Sequence, residues 1–394
     1  MLYTKNFILL ALIMFLASAT FMLLMPILPL FALNVIKLPE AEIGLMVGAF
    51  SVAAFCVRPF LGYLIDSYDK RRIFVISMAL FTAVVISYGF ISTLAMLLVV
   101  RMLHGGSWAS ASTAVSTIVV DIIPPKRRAE GIGAFSLAMP LAMVIGPAAG
   151  VELYMRSGFG VTFAAASVTC VIALGLCFLL RLPPRPNVPR QKLKLSPAGL
   201  YEMRAMGISA MQFCYSFAYA GVATFLPIYA TKNGVGNFSY FFVFYACTVL
   251  ASRILVRKTF DLRGPSPMIY MGYTGFAIGA FIMGLTHSAG FLYLAGLFCG
   301  LGGGMIMPSL NTMSMNIVEP MNRGKATATV MTAIDVGMGV GAMVLGVIAQ
   351  HTSYSVMYFT VTASLVLSML WYRFYEKKHY LHNIERMATK LNEG

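Results

Sequence analysis

Apolar residues along this chain come in long unbroken runs, and the polar residues collect between the runs. Twelve segments stand out, at about 7–33, 43–65, 73–92, 94–123, 132–154, 159–180, 205–230, 237–256, 267–286, 290–318, 326–350 and 355–375. A helix rises about 1.5 Å per residue, so about 20 residues cross the ~30 Å hydrocarbon core of a bilayer, and most of these runs are long enough. Strands of a membrane barrel would instead show segments of about ten residues with alternating polarity. The pattern predicts an all-α membrane protein of twelve transmembrane helices. The first run, from Phe7 to about Leu33, outlasts the ~7–15 apolar residues of a secretory signal and reads as the first helix.

The punctuation between the runs repeats. Arg58 and Asp66 stand eight residues apart at the end of one run, and Arg253 and Asp261 stand eight apart at the end of another, 195 residues later. Pro124 and Pro125 answer to Pro320, Arg128 to Arg323, Gly105 to Gly300, Gly146 to Gly341 and Gly150 to Gly346, at that offset or within one residue of it. The chain therefore reads as two pseudo-symmetric six-helix bundles, 1–180 and 205–375, with a linker at 181–204 and a tail at 376–394. Four prolines (Pro183, Pro184, Pro186 and Pro189) forbid a continuous helix in the linker. The tail reads as a short amphipathic helix. Repeated sets of spans with a site between them are the plan of secondary transporters.

Composition agrees. Of 394 residues 59% are hydrophobic and only 11% charged, against about 25% charged in a soluble domain. The net charge of +15 does not point to nucleic acid, because the basic residues sit in short loops with no basic face and no aromatic stacking platform. Twenty-three of the 29 Lys and Arg residues fall in loops on one side, and three (Lys37, Arg156 and Lys232) fall on the other. By the positive-inside rule both termini are expected in the cytoplasm, and the expected location is the bacterial inner membrane. The six cysteines lie inside apolar runs without CxxC or Cys/His spacing, so no disulfide, metal site or cofactor is implied. A phosphate-binding G-x-x-x-x-G-K-[ST] loop is absent from the sequence, which excludes ATP hydrolysis by this chain.

Four motifs carry a family resemblance. Gly62, Leu64, Asp66, Lys70 and Arg71, between spans 2 and 3, match the G-x-L-a-D-r-x-G-r-k signature, with Ser67 and Asp69 departing from it. Arg101-Met-Leu-His104-Gly105 in span 4 matches R-x-x-q-G, with His104 in the glutamine place and Trp108 at a position where a small residue is usual. Gly146, Pro147 and Gly150 in span 5 match the antiporter pattern g-x-x-x-G-P-x-x-G-G, and Pro26 and Pro29 form a P-x-x-P in span 1. The chain thus resembles the major facilitator superfamily, and within it the twelve-span drug:proton antiporters. The resemblance implies the fold of two bundles, a role for Arg101 in proton transfer, and export rather than uptake. It also implies that spans 2 and 11 meet, and that spans 1, 4, 7 and 10 line the cavity.

Physical chemistry assigns roles within that frame. A carboxylate at Asp66 can cap the positive N-terminus of span 11 and latch the cytoplasmic gate, with Glu130 bonding Lys70 or Arg71 and Gly62 shaping the loop. Asp335 is the acid placed deep in an apolar span, about nine residues and ~14 Å into span 11, where protonation relieves the cost of a buried charge. It is the leading proton carrier, and Arg58, at similar depth in span 2, is its expected ionic partner. Gln212, Tyr215, Tyr219 and Asn311 are the expected cargo contacts, in a wall of aromatics and methionines suited to amphipathic molecules. The expectation is a proton-coupled exporter of small amphipathic compounds, acting as a monomer in the lipid bilayer. The rival within transport is export of a defined metabolite, such as a sugar or a metal-chelating anionic compound. An intramembrane enzyme or a receptor would need a catalytic constellation or a signalling domain, and the sequence offers neither.

Overall fold

The computed structural model describes residues 3–124, 127–182, 201–286, 288–319 and 322–392, and within helices it leaves aside the surroundings of residues 59, 62, 63, 66, 67, 128, 129, 253–263, 324 and 387–392. Among the described residues every regular element is helical. Helix α1 spans Lys5–Phe31, α2 Glu40–Ser67, α3 Lys70–Ser87, α4 Leu94–Ile122, α5 Arg128–Phe135 and α6 Ala138–Phe178. Then come α7 Met206–Ala220, α8 Leu226–Lys232, α9 Ser239–Arg263, α10 Ser266–Leu285, α11 Ala289–Asn316, α12 Arg323–His351, α13 Tyr354–Trp371 and α14 Lys377–Asn392.

Lipid offers no hydrogen bonds, so each span must satisfy its own backbone. Helix starts are closed by side chains: Thr4 accepts from the Phe7 N–H, Asp69 from Arg71, Thr93 from Met96 and Ser353 from Val356. Hydroxyls within the spans turn back on their own helices, as Thr20 does to the Leu16 carbonyl and Thr117 to that of Thr113. Pro26 and Pro29 remove two N–H donors from α1, and the helix widens to a π turn over Ala32–Ile36 before Lys37 ends it at φ 65°.

Ten helices among the described residues are long and apolar enough to cross a membrane, against the twelve runs expected. The difference has two sources. Expected spans 5 and 6 fall in the single stretch Glu130–Phe178, interrupted at Gly158, whose φ of 75° and ψ of −176° separate two helices within α6. Expected span 8 lies in α9, whose described apolar part, Ser239–Ser252, is shorter than a full crossing.

The chain forms two compact units, Met1–Leu38 with Leu45–Leu193, and Pro39–Gly44 with Lys194–Gly394. In the first, α1 packs along α6 and α3 along α4 and α6. In the second, α7 packs along α12, α9 along α11, and α10 along α11 and α13. Two close approaches in each unit follow the sequence repeat. Gly105 on α4 lies so near the Phe50 carbonyl that a methyl group there would collide with it, and Gly300 on α11 lies in the same way on the Tyr245 carbonyl. Phe50 and Tyr245 are themselves 195 residues apart. Gly146 lies on Met22, where an added Cβ would come within 2.6 Å of the Met22 Cβ, and Gly341 lies on Phe217, within 2.7 Å of its Cα. Met22 and Phe217 again differ by 195. Small residues at such crossings are what let membrane helices associate without a hydrophobic driving force.

Alanine at Gly105 or Gly300 should force these helices apart and cost about 1–3 kcal/mol of stability. Alanine at Gly175, where a methyl group meets nothing within 4 Å, should leave stability unchanged. Thermal unfolding of the detergent-solubilised protein reads both, and equal midpoints for the two classes of variant would contradict this packing.

Candidate functional site

In the first unit, polar chemistry concentrates around α4. Arg101 is 7% exposed, donates from Nε to the Met46 carbonyl at 3.3 Å, and holds its guanidinium 4.7 Å from the centre of the Phe50 ring. Among the described residues no carboxylate pairs with it. An arginine this deep in an apolar helix is expensive and is held by carbonyl and π-face contacts instead. One turn on, His104 is fully buried, with Nδ1 2.8 Å from the Tyr88 hydroxyl. Phe21, Phe50 and Phe81 surround the imidazole, and Trp108 stacks on Phe21 with ring centres 4.6 Å apart. His104 Nε2 has no hydrogen-bond partner among the described residues.

The repeat shows how unusual Arg101 is. At the equivalent place in the second unit, 195 residues on, stands Gly296, laid against the Phe241 carbonyl. Phe241 is the counterpart of Met46, so a carbonyl met by a glycine in one unit is met by a charged donor in the other. Trp108 has Gly303 as its counterpart. There the space is taken by hydroxyls: a Cβ on Gly303 would lie 2.5 Å from Tyr245 Oη and 2.9 Å from Tyr215 Oη.

The expected cargo residues lie in the second unit. Tyr215 stacks on Tyr219 at 6.2 Å and meets Phe276 edge-on at 5.5 Å, and Tyr219 lies 6.2 Å from Tyr245. Gln212, fully buried, donates to Ser216 Oγ at 3.2 Å, and its Oε1 has no partner among the described residues. Asn311 Oδ1 is likewise buried without a partner. The structure thus gathers Tyr215 and Tyr219 into one aromatic cluster and leaves two amide oxygens unmatched, in a region that holds no described ionic pair.

The loop residues behave differently from expectation. Lys70 pairs with Asp121 at 2.5 Å, and Arg71 donates to the Phe178 carbonyl at 3.3 Å. Glu130 bonds neither of them: Arg127 holds it at 2.6 Å, because three residues on one helical turn bring the two side chains together. Gly62 and Asp66 lie outside the residues whose surroundings are described, as do Arg253 and Asp261 of the repeat. Arg58 and Asp335 are both half-buried, and both are engaged in interactions. Gly146 and Gly150 press α6 on α1 at Met22 and Leu23, with Pro147 buried between them.

One cluster has no signal in the sequence. Within the second unit Lys232 pairs with Glu40, the Tyr354 hydroxyl donates to Glu40 Oε1 at 2.8 Å, and the Ala41 N–H donates to Gln350 Oε1 at 3.0 Å. Glu40 and Lys232 are 192 residues apart, and each reads alone as a solvated loop charge.

Ten described helices long and apolar enough to cross a membrane define a polytopic membrane protein. The sequence profile of the Major Facilitator Superfamily matches residues 10–289 and 238–390. The staphylopine export protein of Staphylococcus aureus is 23% identical over 346 residues, covering 83% of this chain and 85% of that protein. Multidrug resistance protein 1 of Bacillus subtilis is 27% identical over 220 residues, 55% of each chain. A crystal structure of the peptide transporter POT matches the fold with a TM-score of 0.78 at 15% identity, over 95% of this chain and 94% of that one. This chain belongs to the Major Facilitator Superfamily: it is an integral membrane transporter and not an enzyme.

Phenylalanine at Tyr88 should strip His104 of its hydrogen-bond partner and cost about 1–3 kcal/mol, the penalty of an unmatched buried polar atom. Differential scanning of purified protein should show the drop. An unaltered midpoint would contradict the Tyr88–His104 bond.

Proposed function

We propose that this protein exports small amphipathic molecules in exchange for protons, by alternating access through twelve spans arranged as two six-helix bundles, with both termini in the cytoplasm. The observation that carries the reading is Asp335, an acid set twelve residues into the apolar helix α12. In such a place the charged form is costly, and a proton is the cheapest neutralising partner. Arg58 supplies the counter-charge released when Asp335 takes its proton. Arg101 takes part in the proton coupling with them. Asp66, Lys70 and Arg71 hold the cytoplasmic gate, and Gln212, Tyr215, Tyr219 and Asn311 contact the cargo. Relatives named for staphylopine export and for multidrug resistance support export as the direction.

A second reading is favoured by Arg101, a buried cation without a described carboxylate partner: the cargo is an anionic metabolite, such as a metal-chelating compound or an acidic sugar. Competition for transport separates the two. A lipophilic cation should compete under the first reading, and a polycarboxylate should compete under the second.

In proteoliposomes with an imposed pH gradient, fluorescent amphipathic dyes should accumulate against their own gradient. Asp335→Asn should reduce accumulation to the level seen without a pH gradient while leaving passive exchange of dye intact. Full gradient-driven accumulation by the Asn variant would remove Asp335 from the coupling.

A further inference from the structure

The last membrane helix does not stop at the membrane. From Tyr354 the chain runs helically to Arg386, 33 residues, through α13, a π turn at Tyr372–Glu376 and α14. That is about 50 Å of helix, about 20 Å more than the hydrocarbon core accepts. The surplus is α14, and its two sides differ.

One side is docked on the second unit. Tyr372, Glu376, Tyr380 and Asn383 recur at helical spacing and are buried. The Tyr372 hydroxyl bonds Ser266 Oγ at 2.7 Å, at the start of α10. The Glu376 side chain is 0% exposed and its carboxylate lies directly on Gly207, in the first turn of α7, where any Cβ would collide with it. Glu376 Oε2 accepts no hydrogen bond among the described residues and faces the positive end of the α7 dipole. His379 Nδ1 lies 3.4 Å from the other carboxylate oxygen, and Asn383 bonds the His379 ring and carbonyl in turn.

The other side is bare. Trp371, Phe374, Tyr375 and Leu381 are exposed, Phe374 to 69%. Among them stand the exposed cations Arg373, Lys378 and Arg386 against one exposed acid, Glu385, which is itself engaged in an interaction, so this side keeps a positive balance; the acid on the docked side, Glu376, is buried. Aromatic rings with basic side chains between them, on a helix leaving the membrane, fit the headgroup layer of a bilayer carrying negative charge.

We propose that α14 is a docking surface for anionic phospholipid headgroups, held against α7 by the Glu376–Gly207 contact, so that lipid charge bears on the start of the span that carries the cargo residues. The side of the membrane concerned rests on the topology proposed above; the affinity for anionic headgroups does not.

The test uses the full-length protein in nanodiscs, which expose both faces. Amide hydrogen exchange over residues 377–386 is followed in discs of phosphatidylcholine alone and in discs with phosphatidylglycerol added. Exchange should slow in the anionic discs, and the difference should vanish in the triple variant Arg373→Gln, Lys378→Gln, Arg386→Gln, since each basic group at such a surface contributes about fivefold in binding. Raising the salt should also erase the difference in the unmodified protein, which covers the case of a variant that folds poorly. Equal exchange in both lipids, or a difference that survives both salt and substitution, overturns the proposal. Labelling of the tail from one side of sealed proteoliposomes reads the topology separately. A tail found outside would refute that orientation and leave the nanodisc result standing.

Discussion

The arrangement of this protein depends on bare backbone meeting bare backbone. In lipid, apolar side chains gain nothing by leaving solvent, so helices adhere where small residues let them approach. Gly105 on the Phe50 carbonyl and Gly300 on that of Tyr245 are two instances of one crossing, and Gly146 on Met22 and Gly341 on Phe217 are two of another. Because each pair is separated by the same 195 residues, the duplication visible in the sequence is also a duplication of contacts. A scaffold fixed at such points leaves the remaining positions of each unit free to diverge.

The divergence is where the chemistry lies. On equivalent carbonyls one unit places the Arg101 side chain and the other places Gly296. At the next equivalent position one unit has the Trp108 indole and the other has Gly303, whose vacated space is filled by tyrosine hydroxyls. The first unit thereby acquires a buried positive charge wrapped in aromatic rings. The second has tyrosine hydroxyls at the equivalent place, with the Gln212 and Asn311 amide oxygens unmatched among the described residues. Two copies of one framework thus hold different electrostatic surroundings at equivalent positions.

Much of this was legible in the sequence, for physical reasons. Apolar runs announce helices because lipid permits little else, and a charge inside such a run, as at Arg101 or Asp335, draws notice because it is costly. The glycines were legible as a repeated pattern. Tyr88 was not, since a tyrosine at the end of an apolar run has many uses and nothing in its spacing points to His104. The Glu40–Lys232–Tyr354 cluster was hidden by the distance along the chain between its members. Glu130 pairs with Arg127, its neighbour on the same helical turn, and not with Lys70 or Arg71, because local helical spacing prevails over a longer reach between loops. The break at Gly158 divides two expected spans at the place where the apolar run falters, around Arg156 and Gly158.

The central functional claim is that cargo and protons move in opposite directions through one protein, and coupling of that kind must work in reverse. Proteoliposomes with no imposed pH gradient, loaded with a pH-sensitive dye and given a step in cargo concentration, test it most directly. The account predicts that inward cargo flow drives protons outward, so that the lumen turns alkaline at a rate that scales with cargo flux. Cargo flux with a constant lumenal pH would contradict it.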